Sequence, residues 1–194
     1  MTSRETILNK IKQINQTPAN DLPSYDNFGI TYDNKYTQFS FMLETVGGKS
    51  FVSSKEELDA LILSLYKDEK NIVSNVKECS LGNFKSNDIN DPHDLKDVDL
   101  AIVKGEFAIA ENGAVWVKNQ NNKHRALYFI AQHIVLVVKK DQLINNMHEA
   151  YEKISFEEGR YGVFISGPSK TADIEQALVI GAHGPKTGYV IFID

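Results

Sequence analysis

Apolar residues recur along this chain at two spacings, and each predicts a different element. In "MTSRETILNKIKQIN" the residues Ile7, Leu8, Ile11 and Ile14 fall on one side of a helix, with Thr2 and Glu5 at capping-box spacing. The following "QTPANDLPSYDNFGITYDNKYTQ" carries Asn, Asp, Pro and Tyr without period and reads as an irregular linker. From residue 37 the pattern alternates. "FSFMLETVG" predicts a helix closed by Gly47, "KSFVSS" a short strand, and "SKEELDALILSLYK" a helix. That helix is capped by Ser54 and Glu57 and buries Leu58, Leu61, Ile62 and Leu65.

"NIVSNV" predicts another strand, and "ECSLGNFKSNDINDPHDLKDVD" a polar loop. "LAIVKG" and "EFAIAENGAVWVKN" follow, the second as two strands around Glu111-Asn112-Gly113. "HIVLVVKK" is the β-branched run of a strand covered on both faces. "DQLINNMHEAYEKI" predicts a helix from about Asp141, "YGVFIS" a strand, "TADIEQAL" a helix and "YVIFID" a closing strand. This βα alternation predicts an α/β fold with a mostly parallel sheet flanked by helices. The expected organisation is an arm over residues 1–36 and one α/β domain over 37–194.

Composition narrows the function classes. A net charge of −5 argues against nucleic acid, which needs a basic face. The single cysteine, Cys79, can neither form an internal disulfide nor hold an iron–sulfur cluster or structural zinc alone, so the expected compartment is the cytoplasm. The longest apolar run outside the first helix, "IVLVV", is too short to span a bilayer.

The candidate chemistry concentrates at "GVFISGPSKTADIE". Gly162 and Gly167 have the spacing of a phosphate-binding P-loop, but Pro168 stands where its lysine belongs and the intervening residues read as strand. The segment is instead a strand-to-helix turn, where unpaired amides can receive an anion. The expected ligand contacts are Ser166, Gly167, Ser169, Lys170, Thr171, Asp173 and His183, with the amides of residues 169–171 as donors and Lys170 as the charge. Asp173 opposes an anion unless it meets a ligand hydroxyl, and a well-capped turn with a solvated lysine is the alternative.

"ISGPSKTADIEQALVIGAHGPKTGYVIFID", residues 165–194, resembles the C-terminal motif of the LUD-domain family, lactate-utilisation protein C type. "FAIAENGAVWV", residues 107–117, is similar to a second motif of that family, and the resemblance runs over roughly residues 37–194. It implies a Rossmann-like sandwich akin to ribose-5-phosphate isomerase and the coenzyme A transferases. It also implies a role in oxidising L-lactate to pyruvate beside two iron–sulfur partner proteins, with this chain as an accessory or ligand-binding subunit carrying no cofactor of its own. Where the family has Ala-Glu-Thr-Gly-Thr, this chain has Ala110-Glu111-Asn112-Gly113-Ala114, losing the hydroxyl at 112 and 114.

Glu111 is the catalytic candidate, because "AENG" resembles the coenzyme A transferase motif whose glutamate attacks an acyl thioester. The alternative function is therefore a free-standing transferase or isomerase acting on a coenzyme A-linked or phosphorylated substrate. Glu111 can equally cap backbone amides in a hairpin. Asp91, His93 and Asp94 are possible metal ligands, but with no second cluster at ligand spacing they read as a solvated loop and no metal is expected. Arg125 is a possible carboxylate partner. Glu111 and the 166–171 turn are both expected at carboxyl ends of strands and so in one cleft.

Overall fold

The computed structural model describes residues 2–14, 28–119, 122–155, 161–171 and 179–194. Five helices and nine strands are assigned among them. The helices are α1 (Ser3–Ile14), α2 (Lys35–Thr45), α3 (Leu58–Leu65), α4 (Leu127–Ile130) and α5 (Met147–Lys153). The strands are β1 (Lys49–Ser53), β2 (Ile72–Ser74), β3 (Leu100–Lys104), β4 (Phe107–Ile109), β5 (Ala114–Lys118), β6 (His133–Lys139), β7 (Leu143–Ile144), β8 (Gly162–Ile165) and β9 (Thr187–Ile193).

The central sheet has the order β1-β9-β6-β3-β2, and every pairing in it is parallel. Both of its faces are covered, which is why β6 reads as an unbroken apolar run. On one face Leu58 and Ile62 of α3 pack on Ile72, Leu100, Ile102, Val135, Val137 and Ile191. Each is fully buried, worth about 1.5–3 kcal/mol per side chain. The other face carries Val103, Leu136, Val138, Val190 and Phe192, and meets Phe39 and Leu43 of α2 together with Ala108, Val115 and Val117.

Those last three residues belong to a second sheet, ordered β7-β4-β5-β8. Its β4–β5 and β5–β8 pairs are antiparallel, and β4–β7 is parallel. The far face of this sheet, Phe107, Ile109 and Trp116, is closed by Ala150 of α5. The layers therefore run α3, parallel sheet, small sheet with α2, and α5. The mostly parallel sheet flanked by helices is present, and one of its covers is itself a sheet.

The helix expected from Asp141 begins later. Residues 140–142 form a 3-10 turn, and Leu143–Ile144 pair with β4 as β7. Asn146 then caps α5, its Oδ1 accepting the Glu149 N–H at 3.1 Å. The reason is a demand from elsewhere in the fold: the Ala110 N–H needs an acceptor and finds the Ile144 carbonyl at 2.9 Å, which a helix would have consumed. Residues 172–178 of the expected helix over 171–178 lie outside the described residues, as do residues 16–27 of the expected linker over 16–38, whose last residues open α2 at Lys35.

At the N-terminus the capping box forms in both directions, Thr2 N–H to Glu5 Oε2 at 2.7 Å and Glu5 N–H to Thr2 Oγ1 at 3.3 Å. None of the residues of α1 is buried, and Ile14 is 82% exposed. Among the described residues, no helix is long and apolar enough to cross a membrane.

Candidate functional site

Two loops that are distant in sequence are stitched together at the ends of β8 and β5. Ser166 follows β8, and its hydroxyl donates to the Asn112 carbonyl of the β4–β5 turn at 3.1 Å. The pairing of Val115 with Ile165 places them side by side. The Glu111 turn and the Gly167 turn thus adjoin, although the Glu111 side chain does not enter the cleft it was expected to share.

The chain reverses at Gly167 with φ +69°, a conformation costly for any residue with a Cβ. Space forbids one as well, since a Cβ there would stand 2.9 Å from Val46 Cγ2 and 3.0 Å from the Val46 carbonyl oxygen. The turn then zips onto the Ala182–Pro185 loop. The Ser169 N–H donates to the Pro185 carbonyl, and the Gly181 N–H donates to the Ser169 carbonyl, both at 2.9 Å.

Farther on, Lys170 bridges Ile180, and the Thr171 N–H donates to the Val179 carbonyl at 3.1 Å. The Val179 N–H returns to Thr171 Oγ1 at 3.2 Å. The amides of Ser169 and Thr171 are therefore occupied within the chain. The expected anion-binding row of amides over 169–171 is replaced by a short antiparallel clip, because residues 179–181 compete successfully for the same donors.

What the clip leaves is a cavity of about 210 Å³. Ser166, Gly167, Ser169 and His183 line it, against an apolar wall that includes Phe129, Ile134 and Phe164. Four of the seven expected ligand contacts converge there. Lys170 and Thr171 do not line it, and Asp173 lies outside the described residues. Among the described residues, no hydrogen bond occupies Ser169 Oγ or the His183 ring. A hydroxyl and an imidazole thus face the cavity with capacity to spare. His183 also lines a wider recess of about 460 Å³, together with Phe129 and Gly184. The hydrophobic wall was not legible in the motif itself, since Phe129 and Ile134 arrive from a different part of the chain.

Glu111 is engaged elsewhere. Its Oε2 accepts the N–H of Met147, the first residue of α5, at 2.8 Å, and its own N–H donates to the Asn145 carbonyl at 2.9 Å. The carboxylate caps a helix N-terminus and does not line the cavity. Arg125 stacks over the Tyr161 ring, 4.8 Å from its centroid. Asp91 caps a 3-10 turn through the His93 N–H at 2.9 Å, and that hydrogen bond lowers the pKa of its carboxyl.

A polar knot at the amino ends of β6 and β9 was not foreseen. His133 Nδ1 lies 2.8 Å from Thr187 Oγ1, which lies 2.7 Å from the Tyr66 hydroxyl, and His133 Nε2 lies 3.2 Å from Glu69 Oε1. Burial lowers the pKa of His133, outweighing the attraction of Glu69. Burial raises that of Tyr66. A neutral imidazole that donates from Nε2 and accepts at Nδ1 satisfies every partner.

Comparison with known proteins places this arrangement in context. The chain is 32% identical over 100 residues to the lactate utilization protein C of Bacillus pumilus, a match covering 48% of this chain and 42% of that protein. It is 35% identical over 101 residues to the lactate utilization protein C of Shouchella clausii, covering 50% and 44%. The match thus spans less than half the length of these relatives. The crystal structure of a DUF162 family protein from Deinococcus radiodurans superposes with a TM-score of 0.67 at 19% identity, covering 85% of this chain and 99% of that one, and so shares the fold. The model of the LUD domain matches residues 90–193, which run through β3 to β9 and hold both turns. That is more than half of the chain, which therefore belongs to the LUD domain family.

Proposed function

We propose that this chain is a ligand-binding, accessory subunit of an L-lactate utilisation system and that its 166–169 cavity takes a small hydroxy- or oxo-carboxylate. The names of its relatives motivate the pathway, and the cavity motivates the ligand class. The carrying observation is its size and lining. At about 210 Å³ it is smaller than the roughly 300–1,000 Å³ of pockets that enclose drug-sized ligands. Ser169 Oγ and His183 supply donors for a carboxylate, and the phenyl rings of Phe129 and Phe164 exclude water around a short carbon chain.

Redox chemistry in such a system would rest on two iron–sulfur partner proteins. This chain brings one cysteine, whose thiol pKa burial pushes up to about 11, so it does not fit the role of a thiolate cluster ligand. A transferase would need Glu111 as its nucleophile, and that carboxylate is engaged in the cap on α5.

Calorimetric titration with L-lactate, pyruvate and acetyl-coenzyme A tests the proposal. Wild type should bind a small carboxylate, and Ser169→Ala and His183→Ala should each weaken it about tenfold, the loss expected for a hydrogen bond to a charged group. Equal affinities in wild type and both variants would remove the cavity from consideration.

A further inference from the structure

At the β2 edge of the parallel sheet, the carboxyl end of that strand opens into a separate cavity of about 370 Å³. It shares no lining residue with the 166–169 cavity. In open α/β sheets the carboxyl ends of parallel strands are where ligands collect, because the strands diverge there into loops. β2 is paired in parallel with β3, and its last residue, Ser74, lines the cavity together with Asn75.

The lining combines neutral polar groups that have unspent capacity with two opposite charges, Lys85 and Asp88. Asn75 Oδ1 accepts the Lys104 N–H at 2.8 Å, which fixes the amide and leaves Nδ2 as a donor. Asn122, 8% exposed, donates Nδ2 to the Tyr128 hydroxyl at 2.9 Å, which leaves Oδ1 as an acceptor. Ser86 is 7% exposed, and among the described residues its hydroxyl makes no hydrogen bond. No buried side-chain polar atom of the described residues lacks a partner. The spare atoms of Asn122 and Ser86 therefore keep some accessibility, and both residues line the cavity. Asp88 stands at the rim as a strong acceptor, and Phe84 contributes an apolar surface.

Donor, acceptor and carboxylate around a small apolar surface match a ligand that carries adjacent hydroxyls on a carbon skeleton. Each hydroxyl both donates and accepts, so a vicinal diol can serve Asn75 Nδ2 and Asn122 Oδ1 together. Lys85 and Asp88 bring opposite charges to the lining, so it has no net charge that would select an anion, and a neutral polyhydroxylic ligand suits it. We propose that this cavity is a binding site for a sugar or polyol, distinct from the carboxylate cavity.

The test is calorimetric titration of the full chain with ribose, glucose, glycerol and adenosine, the last to separate a free sugar from a nucleoside as the source of the diol. Two variants accompany it. Asn75→Asp retains the acceptor for Lys104 and replaces the donor with a charged acceptor, and Ser86→Ala removes one hydroxyl. Wild type should bind at least one of the four, and each variant should weaken that binding about tenfold with unchanged thermal unfolding. No binding of any of them to wild type, or wild-type affinity retained in either variant, would overturn the proposal. L-lactate is titrated alongside. Binding that survives both variants keeps the two cavities separate, and lactate binding lost in both would overturn the two-site reading.

Discussion

Replacing Glu111 separates two roles that one carboxylate could play. Oε2 accepts the Met147 N–H at 2.8 Å, at the start of a helix of only seven residues. Such a helix owes its existence to its caps and packing, since short helices are marginal on their own. Glu111→Ala removes a charged acceptor from a helix N-terminus and should cost about 1–2 kcal/mol. Glu111→Gln keeps an amide oxygen at the same reach and loses only the charge–dipole attraction, so it should cost less than about 1 kcal/mol. For a chain of this length, 1 kcal/mol moves the midpoint by roughly 2–4 °C. Differential scanning calorimetry should therefore rank the midpoints as wild type, then Gln, then Ala. Titration of a small carboxylate into the 166–169 cavity should be unchanged in both variants. Turnover of acetyl-coenzyme A by wild type that Glu111→Gln abolishes would refute the reasoning, because a cap tolerates the amide and a nucleophile does not.

Two further outcomes follow from the same geometry. A Cβ on Gly188 would stand 2.5 Å from the Gly167 carbonyl oxygen and 2.8 Å from Pro168 N, with backbone on both sides and no flexible side chain to yield. Gly188→Ala should destabilise the chain by about 1–3 kcal/mol in urea unfolding and also abolish carboxylate binding; wild-type behaviour in both assays would show that the turn is free to shift. His133 faces Glu69, Thr187, Tyr66, Asp99 and Lys186, and its pKa in the folded chain lies below its ordinary 6.5. The unfolded chain then binds the proton more readily, so this contribution to stability is fully present above about pH 6.5 and is lost as pH falls through the folded value. Urea midpoints measured across that range should show the slope in wild type and a flatter profile in His133→Gln, and equal slopes would exclude the imidazole as its source.

Local signals were strong enough to be read directly wherever they depended on neighbours in sequence. The capping box of Thr2 and Glu5, the hairpin at Glu111-Asn112-Gly113, the stripe of α3 and the buried run of β6 all formed as their residue patterns predicted, because each needs only periodicity or turn chemistry. Residues of the motif at Ser166–Ser169 also line a cavity. Tertiary structure decided what depended on partners far along the chain. Whether Leu143–Ile144 became helix or strand turned on an unpaired N–H at Ala110. Whether β8 joined the parallel sheet or the antiparallel one turned on its register with Val115–Lys118. The donors of Ser169 and Thr171 went to Pro185 and Val179, and the carboxylate of Glu111 went to α5. A backbone hydrogen bond goes to whichever partner the fold brings within 3 Å, and that competition has no trace in the spacing of residues.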